Sequence, residues 1–518
     1  MSRLGELVER SLAAETVETF ESRVDEQAAA LRDAIEAGEM DNAEFAVGLE
    51  MEVYATTRTE EAGTTGSDTS ETTLARLPDS VFDGTANKEL GLHNAELNTD
   101  PNVLDGPGLT AQADSIADSF EAAQQAVRET GRELVLDAMW TVPPSEGAKT
   151  YLDTTEQRDG ATVASNMRPA PRYVAIDTHA RQLADGDLPL SVPGAEHTFG
   201  TILFESLATS IQPHLQIPTA DAFPEYYNAA IRTLGPVLAL SANSPFLPAD
   251  LYEGIDDPAQ LVEETHHELR IAAFEQSVNH TESDKVRVPR DIEQASDVVD
   301  RVVEDDLYAP FLREWLHDDG RESFADDYWE FDHKRGTYWR WLRCVVGGDP
   351  VGTGDERSLR IEYRPIPTQP TIRDVVGMQA LTAGLIRGLV AADHPLAELP
   401  WDDAEAAFYS AVEDGLDADL AWVTADGEQT ADAETIFEEV FDYARRGLDE
   451  AGVATADIDH YLAPIEARWD AGTTPSRWKK ARVRERLEAG DSLPDAITGM
   501  QRDYVELSRR RTSFAEWL

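Results

Sequence analysis

Glu50 and Glu52 stand two residues apart in Phe45-Ala46-Val47-Gly48-Leu49-Glu50-Met51-Glu52-Val53-Tyr54. The string is mostly apolar and runs into polar, turn-rich sequence, so it reads as a β-strand. Side chains alternate faces along a strand, which puts both carboxylates on the same side. Two like charges on one face repel each other and lose hydration. A divalent cation held between them would turn that cost into a binding site. The competing account is a strand face that is simply solvated.

Three more segments carry groups of the same chemistry. Glu89 and Glu96 lie in Glu89-Leu90-Gly91-Leu92-His93-Asn94-Ala95-Glu96-Leu97-Asn98-Thr99, and His214 lies in Gln212-Pro213-His214-Leu215-Gln216. Arg360, Glu362 and Arg364 alternate along Ser358-Leu359-Arg360-Ile361-Glu362-Tyr363-Arg364. Singly, each has a plainer explanation: solvated glutamates, a structural histidine, a cross-strand ion-pair ladder. As a set they suit a metal–phosphate site. Magnesium takes hard oxygen ligands, tolerates an imidazole and shares its shell with substrate phosphates. Arginines bind phosphate oxygens and stabilise charge that develops during transfer.

The elements that must position these groups are strands and helices in mixed order. Leu12, Val17, Phe20, Val24, Ala28, Leu31 and Ile35 recur at helical spacing and predict a helix over 12–38. Strands are predicted at Glu50, over 88–99, over 134–142, around His214, at Trp341–Val346 and over 358–364. Phe199 to Leu207 could be strand or helix. Polar sequence at 57–75 predicts a surface loop, and 145–165 reads as irregular. Helices are expected over 110–129, 221–240 and 371–392, then over 402–415, 432–451, 455–470, 476–489 and 492–511 with no strands among them. The expected division is an α+β catalytic body over 1–395, with a charged insertion or lid at 276–335, and a helical C-terminal unit over 396–518.

Composition narrows the class. The 518 residues carry 100 acidic and 44 basic side chains, a formal net charge of -56. Nucleic acids and anionic membranes are bound by basic surfaces, so neither is an expected partner. The charge is spread along a chain that is 41% hydrophobic, which makes an acidic-surfaced globular protein and not a disordered acidic one. Lys88, Lys149, Lys285, Lys334, Lys479 and Lys480 are its only lysines. Acidic excess with few lysines is similar to proteins of halophiles that keep salt in the cytoplasm, where screening weakens carboxylate repulsion. Cys344 is the single cysteine, which excludes an intramolecular disulfide and a thiolate cluster. It lies in a strand that reads as core, where an inert buried thiol is expected. The N-terminus has no signal-like apolar stretch and no run approaches a membrane span, so the expected location is cytoplasmic.

These segments, in this order, resemble the glutamate–cysteine ligase family, second type, among the carboxylate–amine ligases of the glutamine synthetase-like fold. The resemblance rests on Gly48-Leu49-Glu50-Met51-Glu52, the Glu89–Thr99 segment, the His214 strand, Leu238-Ala239-Leu240-Ser241-Ala242-Asn243-Ser244-Pro245-Phe246 and Leu359–Arg364. It extends through Gly415-Leu416-Asp417-Ala418 and Arg468-Trp469-Asp470-Ala471-Gly472-Thr473, and covers about 45 to 505. It implies an α+β fold with an antiparallel β-sheet saddle flanked by helices that holds ATP and Mg²⁺, with Mn²⁺ as an alternative ion. It implies Glu52, Glu89 and Glu96 around one metal, and Glu50, His214 and Glu362 around another that bridges ATP phosphates. Arg364 would contact the transferred phosphate with Arg360 nearby, making Arg364, Arg360 and Glu362 the catalytic set. Arg172, in Pro171-Arg172-Tyr173, resembles a substrate-side arginine, and Arg270 would be another.

The implied reaction is ligation of glutamate to cysteine through an acyl phosphate. Many members carry a second histidine two residues after the first; here that position is Gln216. That departure keeps open a related ligase for another acid or amine, and a third reading is a non-catalytic nucleotide binder. The oligomeric state is open, a homo-oligomer included.

Overall fold

The strand predicted at Glu50 is longer than its apolar core suggests and carries the rest of the sheet. In the computed structural model, which describes residues 4–60, 70–84, 86–316, 323–354 and 356–518, β1 runs over Ala46–Glu60. Val47, Leu49, Met51, Val53 and Ala55 are buried in one core, while Glu50 and Glu52 face the other way and are half-buried. The period-two pattern of the sequence is therefore the pattern of the strand.

Eight more strands complete an antiparallel sheet: β2 (Ser70–Leu74), β3 (Ala86–Lys88), β4 (Asn94–Asn98), β5 (Asn102–Val103), β6 (Arg132–Val135), β7 (Ile211–Ile217), β8 (Leu342–Val346) and β9 (Leu359–Tyr363). The main path is β8-β9-β7-β1-β4-β3, and β2, β5 and β6 also pair with β1. Glu52 stands directly opposite Glu96, and His214 directly opposite Glu362.

Long helices cover the core side. Phe223–Ser241 and Ile372–Ala391 are buried around most of their circumference. The second is long and apolar enough to cross a membrane, yet 83% of its most apolar stretch is packed inside the protein. Thr371 caps it by accepting the Asp374 backbone N–H. It crosses Ala433–Glu450 at unusually close range: a Cβ placed on Gly447 would sit 2.0 Å from the Gly384 carbonyl oxygen. Only glycine permits that approach.

The helices between residues 401 and 470 share the sheet's core, which includes both Val47 and Ile465, while Pro475–Glu488 and Leu493–Arg510 pack in a second core with Tyr54 and Val135. Two buried ion pairs bind them to the body. Arg468 meets Asp374 at 3.0 Å with neither side chain exposed, and Lys479 meets Asp137. Around Asp137, Gln501 donates to its carboxylate and to the Tyr54 hydroxyl of β1. A buried charge left without such partners would be costly.

Several expectations are corrected. Residues 57–60 and 70–74 are paired arms of a hairpin and not a loop; the intervening 61–69 lie outside the described residues. The 88–99 strand is two short strands, β3 and β4, and Glu89 sits in the turn between them. The strand over 134–142 is β6 alone, ending at Val135. Residues 145–165 hold the helix Ala148–Asp153 and a small hairpin, Thr155–Arg158 with Ala161–Ala164. Phe199 to Leu207 divides between a strand end and a 3-10 turn at Ile202–Leu207. One two-residue pairing, Trp422–Val423 with Gln429–Thr430, interrupts the C-terminal helices. Period-two strands and capped helices leave strong local patterns, whereas short hairpins in polar sequence are decided by tertiary contact.

Candidate active site

Cross-strand register builds the site. Because Glu52 opposes Glu96, and the turn after β3 brings Glu89 alongside, these three offer oxygens that all lie within 4.8 Å of one another. Glu50, His214 and Glu362 form a second such group, across β1, β7 and β9. The six residues named from sequence thus fall into two triads, and Glu50 and Glu52, neighbours on one face, belong to different ones.

The first triad is electrostatically unsatisfied. Burial and the charge of Glu96 push Glu52 up to about 7. Burial and the charge of Glu50 push Glu96 up to about 7 as well. Glu89 is raised well above its usual range, by burial and then by Glu96 and Glu52. Like charges confined in a partly dehydrated space hold protons unless a cation replaces them.

The second triad is different. Burial alone would raise Glu362, but Arg343, Arg364 and His214 outweigh it and hold the carboxyl well below its usual range. Arg343 grips the Glu362 carboxylate with Nε on Oε2 and with Nη2 on Oε1 at 3.0 Å. Arg364 lies 3.3 Å from Glu362 Oε1 and also donates to Gln212. His214 Nε2 is 3.2 Å from Glu50 Oε1 and 3.7 Å from Glu362 Oε1. It is nevertheless buried with no hydrogen bond. An orphaned imidazole nitrogen between two carboxylates fits a divalent cation, as the oxygen-rich donor sets of both triads do.

The remaining predicted residues divide. Arg360 donates to the Asp349 carbonyl at 2.6 Å and to Ser358 Oγ at 3.2 Å. With Glu50, His214 and Gln216 it lines a cleft of about 230 Å³. Gln216 itself is fixed, Nε2 donating to the Glu44 carbonyl at 3.0 Å. Arg270 is buried, paired with Glu268 at 3.3 Å and donating to the Pro365 carbonyl. It feels the charges of Glu52 and Arg364, so it lies behind the first triad. Arg172 is not brought to either triad. Its guanidinium lies over Gly336, in the field of Asp332 and Arg335.

Sequence reasoning missed Arg343, Arg335 and Glu205. Arg343 was visible as the one charge inside a strand that otherwise reads as core. Arg335 pairs with Asp332 at 2.6 Å and senses Glu362, which links the Arg172 corner to the second triad. Glu205, raised to about 8 by burial and then by Glu52, sits in a 3-10 turn with no local sign of its role.

Among curated proteins, none matches the chain in sequence. A family model described as glutamate-cysteine ligase family 2 matches residues 46–507. The glutamate–cysteine ligase of Francisella tularensis, in complex with AMP, is similar in structure at a TM-score of 0.50 and 12% identity, over 91% of this chain and 90% of that one. A bifunctional glutathione synthetase from Pasteurella multocida aligns at a TM-score of 0.49 and 14% identity, over 94% of this chain and 55% of that one.

Proposed function

The chain belongs to the glutamate–cysteine ligase family 2, ATP-dependent ligases that join a carboxylate to an amine, and from that membership we propose that its substrates are glutamate and cysteine. The observation that carries the reading is the pair of triads on one sheet face, each with donor atoms within 4.8 Å. Glu52, Glu89 and Glu96 would hold one Mg²⁺ and Glu50, His214 and Glu362 another, and bound there the ions neutralise and orient the phosphates of ATP.

The protein's own groups then have distinct tasks. Arg364 and Arg360 stabilise negative charge on the transferred phosphoryl group. Arg343 keeps Glu362 ionised and aimed. Arg172 and Arg270 supply positive field for substrate carboxylates, Arg270 from behind the first triad. A γ-carboxylate oxygen of glutamate attacks the γ-phosphorus, the bond to the bridging oxygen breaks, and ADP leaves. The cysteine nitrogen attacks the acyl carbon, phosphate departs, and the surplus proton passes to solvent. No protein nucleophile is required, and burial pushes the Cys344 thiol up to about 12, which keeps it inert.

The test is the protein in molar KCl with ATP, Mg²⁺, glutamate and cysteine, followed by product mass. γ-Glutamylcysteine with equimolar ADP is the expected result, lost in Glu362→Gln. Full turnover in that variant would remove the metal assignment.

A second reading has a specific observation behind it. Gln216 lines the cleft beside His214, at the position where the family resemblance implies a second histidine. ADP release across a panel of amino acids separates the two: release with another amine, and none with cysteine, favours the second.

A further inference from the structure

A larger cleft, about 700 Å³, opens at the far end of β1, beyond Tyr54. Tyr54, Asp137 and Lys479 fill the interior between it and the two triads. Its charged lining is seven arginines, Arg58, Arg128, Arg373, Arg502 and the run Arg509–Arg511, against three glutamates. That bias stands out on a chain of net charge -56. It is assembled from distant segments: β1, the helix Gly106–Arg128, the start of Ile372–Ala391 and the C-terminal helix Leu493–Arg510.

The glutamates are already committed. Glu133 takes both Arg509 nitrogens at 2.7 and 2.9 Å, Glu506 takes Arg510 at 2.6 Å, and Glu121 takes Arg128 at 3.4 Å. Arg58, Arg502 and Arg511 make no ion pair among the described residues, and although Glu516 senses Arg511 and Arg373, the described lining carries net positive charge. Phe120, Leu136, Val142 and Val505 give the cleft an apolar wall. The volume lies in the range of small-molecule sites. Convergent guanidiniums suit phosphate oxygens, and an apolar wall suits a flat ring system.

We propose that this cleft binds a phosphate-bearing small anion with an aromatic body, of the nucleoside-phosphate class, at a site separate from the two triads. The concave shape favours this over the acidic face of a second copy, which would have to insert a protruding segment. The site does not depend on the ligase reading, since none of its residues belongs to either triad.

The test is calorimetric titration with ADP in EDTA at about 0.5 M KCl, which screens non-specific attraction. Wild type is compared with Glu50→Ala and with the triple variant Arg58→Ala/Arg502→Ala/Arg511→Ala. All three arginines are exposed, so the triple variant should fold, which a circular dichroism melt checks. ADP should bind wild type and Glu50→Ala alike and bind the triple variant ~10- to 100-fold more weakly, given the strength of charged hydrogen bonds. Tripolyphosphate should compete and adenosine alone should not, which identifies phosphate as the anchor. Equal ADP affinity in wild type and the triple variant, or loss only in Glu50→Ala, would overturn the proposal. So would a triple variant whose only change is oligomeric mass by light scattering, which would make the occupant another copy of the chain.

Discussion

Glu52 on β1 and Glu96 on β4 are directly opposed cross-strand partners, and each is pushed up to about 7. Like charges across a ladder normally destabilise a sheet, so this register contributes a pH-dependent stability term to the metal-free protein. Both groups are protonated in either state below the ordinary carboxylate range. Their folded-state pKa is raised, so the associated stability is present at low pH and is lost as pH rises through about 7. Without metal, this term should lower the melting temperature between pH 5.5 and 8, by a few degrees in order of magnitude. Mg²⁺ should restore it, with a larger shift at pH 8 than at pH 6. Glu96→Gln should raise the metal-free melting point at pH 8 and shrink the Mg²⁺ response. Equal Mg²⁺ shifts at both pH values in differential scanning calorimetry would count against the pairing.

The Arg343 grip on Glu362 predicts a kinetic signature. Removing it takes away the largest influence holding that carboxyl down, so Arg343→Ala should move the acid limb of the kcat/KM profile upward in pH. Arg343→Lys should move it less, because a lysine keeps the charge but not the two-point contact. Stability should fall too, by about 3 kcal/mol, the scale for breaking one side of a buried pair. An unshifted acid limb in Arg343→Ala would mean that Glu362 does not control it.

The crossing of Gly384 and Gly447 predicts a packing defect. An added methyl on Gly447 would collide with backbone and not with a flexible side chain. Gly447→Ala should therefore force the helices apart and cost about 1–3 kcal/mol, read as a lower melting temperature. Gly427→Ala, with nothing within 4 Å, is the control for added bulk, although its φ of 78° strains any side chain.

The formal charge of -56 predicts dependence on salt. Lowering KCl from molar to millimolar lengthens the screening distance from ~3 Å to beyond 30 Å. Circular dichroism melts should shift steadily downward over that range. A melt unchanged at millimolar salt would contradict the halophile-like reading of the composition.

The grouping into two triads was legible only through the family resemblance; the segments that carry it have their own patterns, an apolar strand around Glu50 and Glu52, an alternating strand around Glu362 and a short strand around His214, whereas Glu89 sits in a turn that the sequence did not reveal. The helices Ala433–Glu450, Thr455–Asp470, Pro475–Glu488 and Leu493–Arg510 fall within a residue of expectation at each end, since caps and periodicity are local. Glu205 and Arg335 were not legible. Arg335 has a near partner in Asp332, but what ties each to the triads, Glu362 for Arg335 and Glu52 for Glu205, lies far away in sequence. Arg172 was singled out by its local context, Pro171-Arg172-Tyr173, but its position beside Asp332 and Arg335, away from both triads, is revealed only by the fold.

The Asp137–Lys479 pair has a consequence for how the chain is made. The two residues are 342 positions apart, and Gln501, which shares Asp137 with the Tyr54 hydroxyl, lies 447 positions from Tyr54. A ribosome will have released the whole sheet before the residues that neutralise Asp137 emerge. Until then Asp137 has only the Ala138 N–H and the Tyr54 hydroxyl as partners, and no cation. Such distant closures are slow, so a chain stopped short of Lys479 should accumulate as an aggregation-prone intermediate however complete its triads are.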